Sequence, residues 1–166
     1  MNTATATMKI ELRNVTFCAR LSEETNAFAA VVYIDGKKAC EVSNDGHGGP
    51  DRYSDWDVEK RINAYAKTLP PVECFGTTLE QNADMLIGDL FNAWLVERAV
   101  KKDLKTRIVF EKLDGTYGAT KTVTQAQRDL VAKKPEDALA KLKAKRFIAD
   151  LAEAVKVYDH TFKPKH

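Results

Sequence analysis

Phe28–Ile34 (FAAVVYI), Asp35-Gly36 and Lys37–Ser43 (KKACEVS) form the stretch whose reading decides the fold. The first run is β-branched and aromatic, and the second is strand-like and of matching length. An Asp-Gly pair between two such runs is a strong hairpin signal, because a tight primed turn needs positive φ. The stretch therefore predicts an antiparallel hairpin with its tip at Asp35-Gly36. Just upstream, Met8–Ala19 (MKIELRNVTFCA) alternates, with Ile10, Leu12, Val15 and Phe17 as its large apolar residues. Their spacing slips by one between Leu12 and Val15, which predicts a further strand with a bulge or bend near Asn14.

Downstream the pattern turns helical. Ser54 is placed to cap a helix over 55–68, with Asp55 and Asp57 in its positive first turn. Trp56, Ile62, Tyr65 and Ala66 make a partial apolar face, and Pro70-Pro71 ends the helix. A second helix is predicted from Thr77 or Thr78 to Lys102, since Leu79, Ala83, Leu86, Ile87, Leu90 and Trp94 recur at helical spacing. Thr106–Lys112 (TRIVFEK) reads as strand, and Asp114-Gly115 turns it into a second hairpin over 106–123. A short helix over 125–133 follows, and Pro135 opens a longer one. There Leu139, Leu142, Ile148, Leu151 and Val155 point inward, and Phe147 widens the stripe. Hairpins with intervening and trailing helices argue an α+β fold rather than a βαβ alternation. Residues 1–7 read as a flexible extension and 8–166 as a single domain. That domain is β-rich over 8–53, mainly helical over 54–103, and a hairpin plus helices over 104–160.

Composition agrees with a globular chain: of 166 residues, 44% are hydrophobic and 30% charged. The cysteines Cys18, Cys40 and Cys74 are odd in number and share no CxxC spacing, so they read as reduced thiols. Cys18 and Cys40 fall within strand-like runs and read as small buried hydrophobes. No apolar run is long enough for a membrane span, and Met1–Thr7 has neither the basic nor the apolar region of a signal peptide. A cytoplasmic protein is the expectation.

One segment stands out for chemistry. In Asn44-Asp45-Gly46-His47-Gly48-Gly49-Pro50-Asp51, three of the chain's eight glycines surround one of its three histidines. Glycines cost backbone entropy on ordering, so such a cluster implies unusual dihedrals or a backbone that something approaches closely. Successive amides in such a turn can form an anion-binding concavity. The spacing matches neither a Walker loop nor a dinucleotide fingerprint. If the ends of the hairpin strands share an edge, Ser22–Asn26 lies beside this loop. Glu23, Glu24, Asn26, Asn44, Asp45, Gly46, His47, Gly48 and Gly49 are then the candidate ligand-binding residues. Two carboxylates with a histidine suit a divalent cation, but adjacent Glu23 and Glu24 diverge in an extended segment. No metal ligand, catalytic residue or cofactor is therefore assigned.

Four stretches together carry a resemblance: Met8–Val15 (MKIELRNV), Ser22–Ala30 (SEETNAFAA), Val32–Lys38 (VYIDGKK) and Ser43–Pro50 (SNDGHGGP). In this pattern the chain resembles a family of small proteins from bacteriophages and mobile elements. The resemblance spans residues 8–53 and carries over no catalytic residue and no substrate. It implies a phage-type accessory protein in the bacterial host cytoplasm, of the kind that counters host defences or redirects host machinery.

The net charge of +2 hides an asymmetry. Residues 98–166 hold 17 Lys/Arg and 9 Asp/Glu, while residues 1–97 hold 9 and 15. A uniformly basic binder is excluded, but a localised basic face is not. Lys134, Lys141, Lys145 and Arg146 are its candidate phosphate contacts. Three functions follow in order. The first is an inhibitor that holds a small anionic, nucleotide-like ligand or a host protein on the Gly-rich loop. The second is a nucleic-acid binder using the basic half, and the third a His47-dependent hydrolase or nuclease. Attraction between acidic and basic halves of neighbouring copies also allows a homo-oligomer.

Overall fold

The computed structural model of the chain describes residues 7–144, 153–158 and 162, and it divides into two compact units, Met1–Asn92 and Ala93–His166. The sequence reads 8–166 as one domain. Strands and helices are both present and the sheets are antiparallel, so the fold is α+β.

The first unit is built on four strands in the order β1-β2-β3-β4: β1 (Ile10–Phe17), β2 (Phe28–Ile34), β3 (Lys37–Asn44) and β4 (Arg52–Tyr53). The β2–β3 hairpin turns at Asp35-Gly36 with φ of 51° and 80°, the left-handed pair that a primed turn requires. The slip expected in β1 is a register shift between Arg13 and Thr16, with Asn14 at φ 52°. Period-two alternation puts Phe28, Ala30, Val32 and Ile34 of β2 in the core, with Cys40 and Val42 of β3. Cys18 is exposed, contrary to its reading as a buried hydrophobe, because β1 ends before it and a single 3-10 turn, Ala19–Leu21, begins. β4, which the sequence did not predict, is fastened to β3 by Ser54, whose hydroxyl accepts from the Glu41 amide at 2.8 Å.

That bond occupies Ser54, and Asp55 caps α1 (Trp56–Ala66) instead, accepting from the amides of Asp57 and Val58. Val58, Ile62 and Ala66 form the buried stripe, whereas Trp56 is 64% exposed beneath the Lys60 ammonium. Between the helices lies a small hairpin, β5 (Val72–Cys74) and β6 (Thr77–Leu79), turned at Phe75-Gly76 with positive φ at both. It displaces the expected helix start: α2 (Ala83–Asp103) begins after Asn82, whose side chain accepts from the Met85 amide, and Leu79 stays partly exposed. Ala83, Ile87 and Phe91 of α2 are buried, and the Phe91 ring stacks on Phe28 at 4.5 Å.

The second unit holds the rest of α2, the strands β7 (Val109–Lys112), β8 (Tyr117–Ala119) and β9 (Ala154–Tyr158), and the helices α3 (Gln125–Lys133) and α4 (Pro135–Lys143). The strand order is β8-β7-β9. Val109 packs with Val100, Leu104 and Tyr158, and Phe110 with Val131, Ala138, Leu142 and Val157. Consecutive residues point to opposite faces, so both faces of this small sheet are covered. The expected hairpin is present, with β8 opposite β7. Two further expectations also hold: α3 covers 125–133, and Pro135 occupies the first turn of α4. The capping box that Thr124 and Gln127 make for α3 is a feature the sequence reading did not name. The predicted long last helix does not hold. α4 ends at Lys143, and Val155 lies in β9, partly exposed. Lys145, Arg146, Phe147, Ile148 and Leu151 lie outside the described residues.

Candidate functional site

The β2–β3 hairpin fixes the site. Its strands run out to Asp35-Gly36 and back, so Phe28 pairs with Asn44 and the segments beyond these two residues leave the sheet side by side. The amides of Glu23, Glu24 and Thr25 all donate to the Gly46 carbonyl, at 3.0, 3.0 and 3.2 Å. The turn that makes this convergence possible removes the expected divergence of Glu23 and Glu24. Both reach the same loop: Glu23 Oε2 lies 3.2 Å from His47 Nδ1, and the Glu24 carboxylate lies against Gly48.

Asn44 is the hub. Its Oδ1 accepts from Thr25 Oγ1 at 2.7 Å and from the Gly46 amide at 3.0 Å. Its Nδ2 donates to the Gly49 carbonyl and to Asp51 Oδ1. The Thr25 hydroxyl also accepts from the Gly48 amide. Gly46 is obligatory here: its φ is 88°, and a Cβ at that position would lie 2.0 Å from the Leu21 carbonyl oxygen. Asn26 is half-buried beside this network, and no side-chain hydrogen bond ties it to either loop among the described residues.

Outside the network stand the charged groups. Arg52 Nη2 donates to Asp45 Oδ2 at 2.5 Å, and the His47 amide donates to the other Asp45 oxygen. These bonds, the amide first, hold the Asp45 carboxyl below its ordinary range. The His47 and Glu23 side chains are 56% and 68% exposed, so the imidazole–carboxylate pair works in open solvent. The Thr25 hydroxyl donates to Asn44 and not to this pair. Among the described residues no group of three or more His, Cys, Asp or Glu is placed to hold a metal ion.

Beneath the loop is a cluster that sequence reasoning missed. Asp84, in the first turn of α2, accepts from the Asp51 amide at 3.4 Å and from the Tyr53 hydroxyl at 3.2 Å. Burial pushes the Asp51 carboxyl up to about 6; the Asn44 bond opposes this, and the Asp84 charge adds to it. Burial, and then the Asp84 and Asp51 charges, push the Tyr53 phenol up as well. The sequence reading starts this helix at Thr77 or Thr78 and so leaves Asp84 inside it, and nothing local links Asp84 to a residue 33 positions earlier.

The basic candidates are separate. Lys134 and Lys141 are exposed in the second unit, and Lys134 lies 3.9 Å from Asp137, while Lys145 and Arg146 are not among the described residues. No helix among the described residues is long and apolar enough to cross a membrane. No family model matches the chain, and no curated protein and no solved structure is significantly similar to it.

Proposed function

We propose that the protein acts by binding, and that the 44–51 loop with its 22–26 buttress is the face it presents to a protein partner. One observation carries this reading: the loop and its buttress are ordered by hydrogen bonds to each other, while Glu23, Asp45, His47 and the adjoining Arg52 stand outward. A pre-ordered loop loses little conformational freedom on binding. Mixed rim charges orient a partner surface and speed its encounter. Of the two ligand classes expected from the sequence, the small anion is disfavoured. The three converging amides are spent on the Gly46 carbonyl, and the carboxylates of Glu23, Glu24 and Asp45 all contact the same loop, where their charge repels an anion. With the resemblance to phage and mobile-element proteins, the partner we propose is a bacterial host protein, inhibited or redirected in the host cytoplasm as a counter-defence.

The test is capture from a bacterial lysate, followed by affinity measurement with the purified captured protein. His47→Ala and Arg52→Ala are expected to weaken binding about tenfold, or 1.4 kcal/mol, with unchanged melting temperature. Variants that bind like the parent would defeat the reading, as would a saturable thermal shift with nucleotides.

A second reading rests on a different observation. The acidic and basic halves coincide closely with the two compact units: Met1–Asn92 holds 9 Lys/Arg and 14 Asp/Glu, and Ala93–His166 holds 17 and 10. A unit with a +7 balance suits contact with nucleic-acid phosphates. A mobility shift at low salt that fades steeply as salt rises is its expected signature, and no shift at low salt excludes it.

A further inference from the structure

The 44–51 loop is held from two sides. On one it is tied to the 22–26 turn through Gly46 and Asn44. On the other it reaches α2 through the Asp51 amide and Asp84, with Tyr53 bonded to the same carboxylate. The second attachment places two carboxyl groups in one half-buried cluster. The groups that face it are Asp84 from α2, Tyr53 from β4, the uncharged Asn44 from β3 and, acting on Tyr53, Glu59 from α1. Arg52, next in the chain, is engaged with Asp45. Among the described residues no Lys or Arg is ion-paired with Asp51 or Asp84.

We infer that Asp51 and Asp84 form a proton-sensitive clasp, fastening the loop to the start of α2 while Asp51 is protonated and slackening when it ionises. Two like charges in a half-buried site repel, and no cation among the described residues is paired with them. A neutral Asp51 carboxyl keeps an oxygen for Asn44 Nδ2, so protonation removes the repulsion without costing that bond. The Asp51 amide, which donates to Asp84, is the contact that the repulsion pulls open first. Because Asn44 joins Asp51 to Thr25 and Gly49, release passes into the loop rather than stopping at one side chain. The titration falls near pH 6, where Asp51 changes charge. The clasp is a property of the free protein, and only its effect on partner binding rests on the function proposed above.

Amide hydrogen exchange on the full chain without any partner tests it. Exchange is followed from about pH 5 to about pH 8 and corrected for the intrinsic pH dependence of the rate. Protection of the Asp51 amide is expected to fall about threefold to tenfold across that range, with a midpoint near pH 6. The β2–β3 amides are expected to stay unchanged. Asp51→Asn is expected to keep high protection at every pH, since the amide oxygen still serves Asn44 and the charge is gone. Flat protection in the parent protein overturns the clasp, and so does an unchanged pH profile in Asp51→Asn. If the variant does not fold, the parent profile with the β2–β3 amides as internal reference still decides.

Discussion

At Gly46 a carbonyl and a missing side chain act together. The carbonyl gathers three amides, and the absent Cβ lets the Leu21 backbone approach. Gly46→Ala is expected to lower stability by about 2–4 kcal/mol in denaturant unfolding, from the left-handed backbone and the collision together. Asp51 makes the opposite kind of contribution. Its folded value of about 6 lies above the ordinary 3.8, so the native state holds the proton more tightly. Stability from this group is therefore complete below about pH 4 and is lost as pH rises through 6. Asp51 keeps part of its solvent contact, which screens the effect, so Asp51→Asn is expected to gain about 1 kcal/mol at pH 8. At pH 4 the variant and the parent are expected to match. Chemical unfolding at the two pH values measures both.

Among the elements, the β2–β3 hairpin was legible because its signal is local: two strand runs and one Asp-Gly turn. The bulge at Asn14 was legible for the same reason, as a slip in a period of two. The proline that opens α4 also announces itself within a few residues. What failed depended on distant partners. Ser54 looks like an N-cap until β3 uses it, and Asp55 takes its place. Asp55→Ala is expected to cost about 1 kcal/mol by thermal unfolding, and Ser54→Ala to act through the β3–β4 pairing instead. Val155 fits a helical stripe, yet β9 forms because β7 has an edge to pair. Phe91 was missed within its own helix, since Leu86, Ile87, Leu90, Phe91, Trp94 and Leu95 fit more than one stripe. It is 1% exposed and touches Phe17 and Phe28, so Phe91→Ala is expected to cost about 3–5 kcal/mol. The candidate loop shows the same division. Its glycines and its proximity to 22–26 could be read from hairpin geometry, whereas the Asp84 anchor could not.

At the scale of the whole molecule, near-neutrality is the sum of an acidic unit and a basic one. The acidic unit carries the ordered loop, which suits oriented contact with a protein better than contact with a polyanion. The amides of Glu23, Glu24, Thr25, Gly46, His47 and Gly48 are already satisfied by the chain. Titration with inorganic phosphate and then with nucleotides, followed by the amide chemical shifts of Glu23, Glu24, Thr25, Gly46, His47 and Gly48, decides whether an anion can still be held there. Flat traces, with the three amides on Gly46 protected from exchange throughout, are the expected result. Saturable shifts centred on those amides would contradict it and restore the loop as an anion cradle.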